Sequence, residues 1–279
     1  MEPESTTDGS PMNQNPSNSR TTPFELPEIN MDLLYYDTSK LRYLLVFNQV
    51  KFSKPSFFKK ISHFHSAEPL APRIGTNEDV KALNAVFSSL KFEVTVYDDL
   101  SREQIMKVIK AFVERDHSDT SCVVVAILTH GNPGGELWAK DGPYNLSNVL
   151  TKFEGGNLVA VPKVFLVQAC RGSKTDAGQR IQLDGGKASI TVPTHTEFLI
   201  LYSTVEDYVS FRDRRGSWMI QTFCRILSDF HNTMDLLHII TLMNHTIAHE
   251  YVSNSSNPSI DNKKQTSETK FTLTKLLKL

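Results

Sequence analysis

The stretch CVVVAIL, residues 122–128, decides the fold of this chain, because it is an unbroken apolar run that stops at Thr129-His130-Gly131. A second run, VFLV at residues 164–167, stops in the same way at the stretch QACRG, residues 168–172. Continuous apolar runs bounded by turn residues are typical of strands that are covered on both faces. The two runs therefore predict two buried strands, each leading directly into residues capable of chemistry.

Helix and strand patterns alternate on both sides of these two runs. The segment 101–104, SREQ, reads as a capping box that opens one helix, and Thr76 is the expected N-cap of another. Alternation of this kind predicts an α/β fold with a mostly parallel sheet and crossover helices. The other predicted elements are strands at 41–47, 92–96, 198–202 and 271–277 and helices at 218–230 and 236–247.

Two segments fall outside this alternation. Residues 1–30 are rich in Pro, Ser, Thr and Asn and poor in large apolar side chains, which predicts a short disordered leader. Residues 172–196 show little periodicity and form a longer connection than compact domains usually keep, which predicts a surface loop.

The bulk composition argues against several classes of function. At 279 residues the chain suits one large α/β domain with a tail. Its formal net charge of −1 gives no electrostatic reason to expect nucleic acid or membrane as a partner. No signal sequence is visible, and no run approaches the ~20 apolar residues of a membrane helix. We therefore expect a cytoplasmic protein.

The three cysteines form no CxxC pair and have no clustered histidines near them, so neither a disulfide framework nor a zinc site is indicated. We expect no metal and no other cofactor. Cys122 lies in an apolar strand and Cys224 on an apolar helix face, which predicts that both are buried and inert. Structural roles are also assigned to His117, His195, His245, His249, Trp218 and Met219.

Cys170 and His130 stand at the ends of the two buried strands, although 40 positions separate them in the chain (170 − 130). The carboxyl ends of parallel strands meet at one edge of a sheet, so the two side chains are expected to face each other. A thiolate attacks carbonyl carbon well when an imidazole activates it. The backbone N–H groups of Gly131 and Gly172 are unshielded, and either is suited to an oxyanion hole. In an arbitrary cysteine–histidine pair, however, the thiol is more often inert and the histidine is more often a hydrogen-bonded loop residue.

The pentapeptide QACRG reverses that expectation, because it matches the QAC-[RQG]-G signature around the nucleophile of caspases. From about Leu41 to the C-terminus the sequence resembles effector-type caspases. The resemblance implies the caspase fold, a six-stranded and mostly parallel sheet with helices on both faces. It also implies an aspartate-specific cysteine endopeptidase made as a zymogen and acting in apoptosis. Further matching stretches are RIGT at 73–76, DHS at 116–118, LYST at 201–204, FR at 211–212 and GSW at 216–218.

The resemblance also implies roles for single residues. Cys170 is the expected nucleophile, His130 its acid–base partner, and Gly131 a member of the catalytic group. The carbonyl of Ala71 matches the group that orients the histidine. Arg73, Gln168 and Arg212 are expected around the carboxylate of the substrate aspartate, where guanidinium groups make charge-assisted contacts.

Neighbouring subsites depart from the family pattern. Val209 and Phe211 stand where relatives with a strong Asp-x-x-Asp preference carry larger aromatic residues, and residues 253–261 contain no aromatic residue. Asp213 occupies a position where such relatives hold the distal substrate acid with a neutral amide. A carboxylate there is expected to repel a distal aspartate. Thr129 replaces the more usual serine and keeps the hydroxyl.

The resemblance further implies maturation by cleavage after aspartate in the loop 172–196. Asp184 is the favoured site and Asp176 the second candidate, while Asp8 is a weaker site for removal of the leader. The resemblance implies a prodomain, 1–35, a large subunit, 36–184, and a small subunit, 185–279, with the boundary between the subunits at the favoured site Asp184. Expected partners are protein substrates, a second copy in a homodimer of processed subunit pairs, an upstream caspase and inhibitor-of-apoptosis proteins.

Two other interpretations of the sequence compete with an active caspase. A caspase-like regulator or decoy without activity does not need all five residues of the predicted site, and this chain keeps them: Arg73, His130, Gln168, Cys170 and Arg212. A flavodoxin-like or nucleotide-binding domain also fits the alternating pattern. It lacks support, because no strand is followed by GxGxxG or GxxxxGK[ST].

Overall fold

The fold is described from a computed structural model that covers residues 31–53, 70–172 and 196–279. The leader predicted at 1–30 and most of the loop predicted at 172–196 lie outside the described residues, together with Asp8, Asp176, Asp184 and His195. In chain order the elements are β1 (Leu41–Asn48), α1 (Thr76–Ser89), β2 (Glu93–Asp98), α2 (Arg102–Val113), β3 (Thr120–Leu128), β4 (Gly131–Asn132), β5 (Glu136–Ala139), β6 (Gly142–Asn145), α3 (Leu146–Leu150), β7 (Lys163–Gln168), β8 (Phe198–Tyr202), β9 (Arg212–Asp213), β10 (Gly216–Ser217), α4 (Trp218–Phe230), α5 (Leu236–Glu250) and β11 (Glu268–Phe271).

Six of these strands form the main sheet, in the order β11-β8-β7-β3-β1-β2. All neighbouring pairs are parallel except β8 with β11, which is antiparallel. The predicted α/β class and the mostly parallel sheet are therefore confirmed. Two small additions accompany the sheet: the ribbon β4-β5-β6 and the hairpin β9-β10.

The centre of the sheet is buried on both faces, as the unbroken apolar runs predict, whereas the edge strands β2 and β11 are partly exposed. Every residue of β3 and β7 is buried. Alternate residues of β3 enter two separate cores, with Val124 on the side of α1, α4 and α5 and Val125 on the side of α2 and α3. Helices thus cover both faces of the sheet.

The local signals at the start of α2 are confirmed. Gln104 N–H donates to Ser101 Oγ at 3.2 Å, and Ser101 N–H donates to Gln104 Oε1 at 2.9 Å. The predicted structural histidine His117 is also satisfied, since its ring nitrogens contact Thr120 Oγ1 at 3.0 Å and the carbonyl of Phe112 at 2.9 Å.

Two predictions about element ends are wrong. Thr76 is the first residue of α1 and not its N-cap, which is Gly75 with φ of 90°. The Thr76 hydroxyl instead donates to Asn48 Oδ1 and accepts from Arg73 Nη1, both at 2.8 Å. The last strand is Glu268–Phe271 and not 271–277. An edge strand tolerates polar residues such as those of β11, whereas later apolar side chains such as Leu277 enter the core.

Cys122 and Cys224 are buried and unpaired, as expected. Burial raises the pKa of the Cys122 thiol to about 12 and raises that of Cys224 as well. Across residues 31–53, 70–172 and 196–279, no group of three or more His, Cys, Asp or Glu side chains is placed to hold a metal ion. No helix in those ranges is both long enough and apolar enough to cross a membrane.

Candidate active site

The register between β3 and β7 brings the two reactive strand ends together. Leu128 lies opposite Gln168, and Thr129 N–H donates to the carbonyl of Gln168 at 3.1 Å. His130 and Cys170 each follow two residues later and line the same cavity. That cavity has a volume of about 110 Å³, and its lining residues are Thr129, His130, Gln168, Ala169, Cys170, Ser210 and Arg212.

His130 is held by the backbone of a distant turn. Its Nε2 lies 2.8 Å from the carbonyl oxygen of Ala71, and its ring packs against Phe52 with centroids 4.9 Å apart. A carbonyl only accepts, so Nε2 carries a proton and Nδ1 is left for proton transfer. Burial lowers the pKa of His130, the nearby charges of Arg73 and Arg212 lower it further, and the bond to Ala71 opposes them.

Cys170 is partly exposed at the end of β7 and lies against the segment that carries Ser210. Its Sγ accepts from the N–H of Ser210 at 3.5 Å and is 3.9 Å from the carbonyl oxygen of the same residue. The thiol therefore opens into the cavity beside His130, in contrast to the two buried cysteines.

The backbone around Cys170 is packed so closely that only glycine fits beside it. A Cβ atom on Gly131 would lie 2.5 Å from the Cys170 carbonyl oxygen, and one on Gly172 would lie 2.1 Å from the carbonyl oxygen of Asp207. Glycine thus allows the backbone at residue 131 to approach Cys170 directly. This explains physically why the two glycines flank the reactive groups.

Arg73 is fully buried next to the cavity with only part of its guanidinium group satisfied. Nη1 donates to Thr76 Oγ1 at 2.8 Å and to the carbonyl of Gln49 at 3.2 Å. Among the described residues, Arg73 Nε and Nη2 have no hydrogen-bond partner. Burial, and then the charge of Arg212, lowers the pKa of Arg73 to about 9.

Gln168 and Arg212 complete this polar end of the cavity. Gln168 Nε2 donates to Ser210 Oγ at 2.7 Å, while its Oε1 has no partner in the described chain. Arg212 Nε donates to the carbonyl of Ile74 at 3.0 Å, and burial lowers the pKa of its guanidinium group. Two guanidinium groups therefore lie near each other at this end of the cavity, and guanidinium is a group that pairs well with carboxylates.

A larger groove of about 550 Å³ continues from Arg212. Its aromatic wall consists of Phe211, Trp218 and Tyr251, with ring centroids 4.8 Å apart for the first pair and 5.2 Å for the second. Met219 is buried in the core, as predicted, whereas Trp218 is half-buried: it packs against the same core and also lines this groove. Tyr251 was not singled out from the sequence, since it follows α5 outside any motif.

Asp213 lines the same groove, but its carboxylate is engaged by Arg215. Arg215 Nη2 and N–H lie 2.8 Å and 2.7 Å from the Asp213 carboxylate oxygens. This partnership lowers the pKa of Asp213. Val209 is partly exposed on the neighbouring segment and lines neither cavity.

Arg171, the residue after Cys170, is held in place by ionic contacts. Arg171 is bound by Glu268 of β11 and lies 3.3 Å from Glu206, with its guanidinium carbon 4.1 Å from the centre of the Tyr202 ring. The backbone at Cys170 is therefore tied to the edge strand of the sheet.

Comparison with known proteins identifies relatives over most of the chain. Residues 42–278 match the family model described as Peptidase_C14, caspase domain. The sequence is 34% identical to caspase-7 of Gallus gallus over 78% of this chain and 78% of that protein. It is 36% identical to caspase drICE of Drosophila melanogaster over 78% of this chain and 67% of that protein. The crystal structure of caspase-1 from Spodoptera frugiperda superposes with a TM-score of 0.76 at 33% identity, covering 91% of this chain and 95% of that one.

The charges around His130 predict how its pKa responds to substitution. Arg212→Gln removes a positive charge that disfavours the imidazolium ion, so we expect the pKa of His130 to rise towards its ordinary value of 6.5. The pKa is measured by NMR titration of the imidazole signals. Arg215→Gln is the matched control, because Arg215 is paired with Asp213 and is not among the charges that act on His130. An unchanged or lower pKa in Arg212→Gln would contradict this account.

Proposed function

Since the chain belongs to the caspase family, we propose that it is the zymogen of an endopeptidase that hydrolyses peptide bonds after aspartate and acts in apoptosis. The observation that supports this most directly is the buried Arg73, whose Nε and Nη2 have no partner among the described residues beside the Cys170–His130 cavity. A buried cation with unpaired donors needs a ligand that accepts hydrogen bonds and carries negative charge. A substrate aspartate meets both needs.

The covalent step is assigned to Cys170. The thiolate attacks the carbonyl carbon of the substrate, and the carbonyl oxygen becomes an oxyanion near the N–H of Gly131. Protonated His130 gives its Nδ1 proton to the leaving amine, and the acyl group remains on sulfur as a thioester. Water then attacks the thioester with neutral His130 as base, which releases the acid and restores the thiol. The carbonyl of Ala71 keeps the imidazole in the required tautomer throughout.

Selectivity for aspartate is assigned to Arg73, Gln168 and Arg212. Charge-assisted hydrogen bonds to guanidinium are directional, and aspartate carries its carboxylate one methylene nearer the backbone than glutamate. Any side chain that leaves the buried donors unpaired incurs their desolvation cost. No cofactor takes part in the proposed reaction.

We expect Cys170→Ala to abolish turnover and to leave the fold intact, because the partly exposed sulfur contributes chemistry rather than core packing.

In the active protein, replacing the substrate aspartate with asparagine should lower kcat/KM by roughly 10⁴-fold. Both are measured with fluorogenic peptides. Labelling with an aspartyl ketone peptide, followed by mass mapping of the modified residue, identifies the nucleophile.

Cys122→Ala serves as the matched control, since that thiol is buried away from the cavity. It should retain turnover and take up the same amount of label. Cleavage of aspartyl peptides by Cys170→Ala, or equal turnover of aspartyl and asparaginyl peptides, would refute the proposal.

The distal subsites are assigned to the groove beside Arg212, with Phe211 and Asp213 in its lining and Val209 on the adjoining segment. The Asp213 carboxylate disfavours an acidic residue four positions before the cut. Its ion pair with Arg215 lessens that repulsion in the native protein.

We therefore expect peptides with asparagine at the distal position to be cleaved better than those with aspartate, with a modest difference in the native protein. Arg215→Gln should widen the difference, because it leaves the charge of Asp213 unbalanced. The ratio of kcat/KM for the two peptides is the measurement. Arg225→Gln, a change at an exposed position of α4, should leave the ratio unaltered. A native preference for distal aspartate would contradict the assignment.

Maturation is assigned to cleavage after Asp184, with Asp176 as the alternative and Asp8 as a weaker site, where a cut would release residues 1–8 of the proposed 1–35 prodomain. The resulting large subunit, 36–184, would carry Cys170 and the small subunit, 185–279, would carry Arg212. Two processed pairs are proposed to form a homodimer. The edge position of β11 and its Phe271, whose side chain is exposed, support this surface as the interface. An upstream caspase, inhibitor-of-apoptosis proteins and a cytoplasmic location stay predictions of the family resemblance.

Expression of the full chain should yield two fragments that separate at Asp184–Gly185, whereas the Cys170→Ala chain should stay whole. Intact mass spectrometry measures both. Asp184→Ala should remove this cut or move it to Asp176. An enzyme that is fully active as one uncut polypeptide would contradict the proposed maturation.

A further inference from the structure

Asp79 is a buried carboxylate that the proposed reaction does not use. It lies on α1 and is fully buried. Its Oδ1 accepts from the N–H of Ser217 and from Nε2 of Gln221, each at 2.8 Å. In the described part of the chain, its Oδ2 has no hydrogen-bond partner. Burial raises the pKa of the carboxyl group, and the hydrogen bonds and the charge of Arg73 oppose that shift.

The two donors connect Asp79 to the hairpin that carries Arg212. Ser217 pairs directly with Arg212 in the β9-β10 hairpin and is also the N-cap of α4. Gly216 approaches so closely that a Cβ atom on it would lie 2.5 Å from Asp79 Oδ1, and its φ of 112° favours glycine. The carboxylate therefore occupies the point where the hairpin meets α1.

The same contact sets the position of Arg73 relative to Arg212. Arg73 is bonded to Thr76, the first residue of α1, which lies one helical turn before Asp79. At Gly75 the backbone is so near the hairpin that a Cβ atom would lie 1.9 Å from the carbonyl oxygen of Asp213. Moving the hairpin away from α1 would thus separate the two guanidinium groups.

Electrostatics give Asp79 a second effect on this pair. The two arginines repel each other, and the charge of Arg212 lowers the pKa of Arg73. The negative charge of Asp79 raises the pKa of both arginines against the effect of burial. The charge of Asp79 thus offsets part of their repulsion before any substrate arrives.

We propose that Asp79 is a positioning residue for recognition of the substrate aspartate: it holds the Arg212 hairpin against the Arg73 turn and keeps the two guanidinium groups together in the empty site. This inference rests on the proposed function. Its main effect falls on the binding of the aspartate side chain, because the imidazole lies on another element and is affected only through the charges of the two arginines.

The test compares two substitutions in the full chain. Asp79→Asn keeps an oxygen acceptor for Ser217 and Gln221 and removes the charge, whereas Asp79→Ala removes both. We expect Asp79→Ala to lower kcat/KM for an aspartyl peptide by roughly 10- to 100-fold, mainly through KM, and Asp79→Asn to lower it less. The preference for aspartyl over asparaginyl peptides should fall in the same order. Alkylation of Cys170 by iodoacetamide, which needs no aspartate pocket, should change much less than turnover does.

Glu78→Gln is the matched control. It removes a charge from the same turn of α1, but Glu78 is partly exposed and pairs with Lys81 at 2.8 Å. Its kinetics should equal those of the native protein. If Asp79→Ala does not fold, the isosteric Asp79→Asn decides the question alone.

The inference is overturned if Asp79→Asn and every folded Asp79→Ala preparation keep KM and the aspartate preference within twofold of native values. It is also overturned if iodoacetamide alkylation slows in parallel with turnover, because that pattern indicates general loss of structure. Failure of the native protein to cleave aspartyl peptides is a different result, which refutes the proposed function itself.

Discussion

The register between the parallel strands β3 and β7 determines the relative position of His130 and Cys170. Leu128 lies opposite Gln168 at the ends of the two strands, so His130 and Cys170, each two residues further along the chain, leave the sheet at the same edge and line one cavity. Side chains alternate between faces along a strand, and a slip of one residue would send one partner to the opposite face. Such a slip is resisted by both cores at once, because β3 and β7 are buried on both faces. Packing of the two cores therefore fixes the relative position of His130 and Cys170.

The polar end of the cavity, in contrast to the apolar core, is built from groups whose burial costs free energy. Arg73 keeps two nitrogens unpaired among the described residues, close to a second guanidinium group. An arrangement of this kind persists only when the surrounding structure enforces it. Here the bonds of Thr76 and the seating of the hairpin on α1 provide that enforcement. Under the proposed function, the same unfavourable state gives a substrate carboxylate its advantage over neutral side chains.

The sequence predicts the strands and helices of this molecule better than it predicts the contacts between distant elements. Apolar runs and the Ser101 capping box predict strands and helix starts directly, because burial and capping act over a few neighbouring residues. The cysteine and histidine follow from a short motif. Asp79 and Tyr251 carry no local signal, since their roles arise from contacts between elements far apart in the chain. Thr76 shows the limit most clearly: its type suits an N-cap, but a buried arginine and Asn48 compete successfully for the hydroxyl.

The parallel pairing of β7 with β8 has a consequence for folding. The connection between these neighbours joins the part of the chain that carries Cys170 to the part that carries Arg212, yet the contact between the parts runs through the centre of the sheet. If that connection is opened, unfolding changes from a unimolecular to a bimolecular equilibrium, because the separated pieces must find each other again. The stability of the opened molecule then depends on protein concentration, as it does in obligate dimers. Dilution has no effect on the unfolding of a single uncut chain, but it favours the unfolded state once the connection is open.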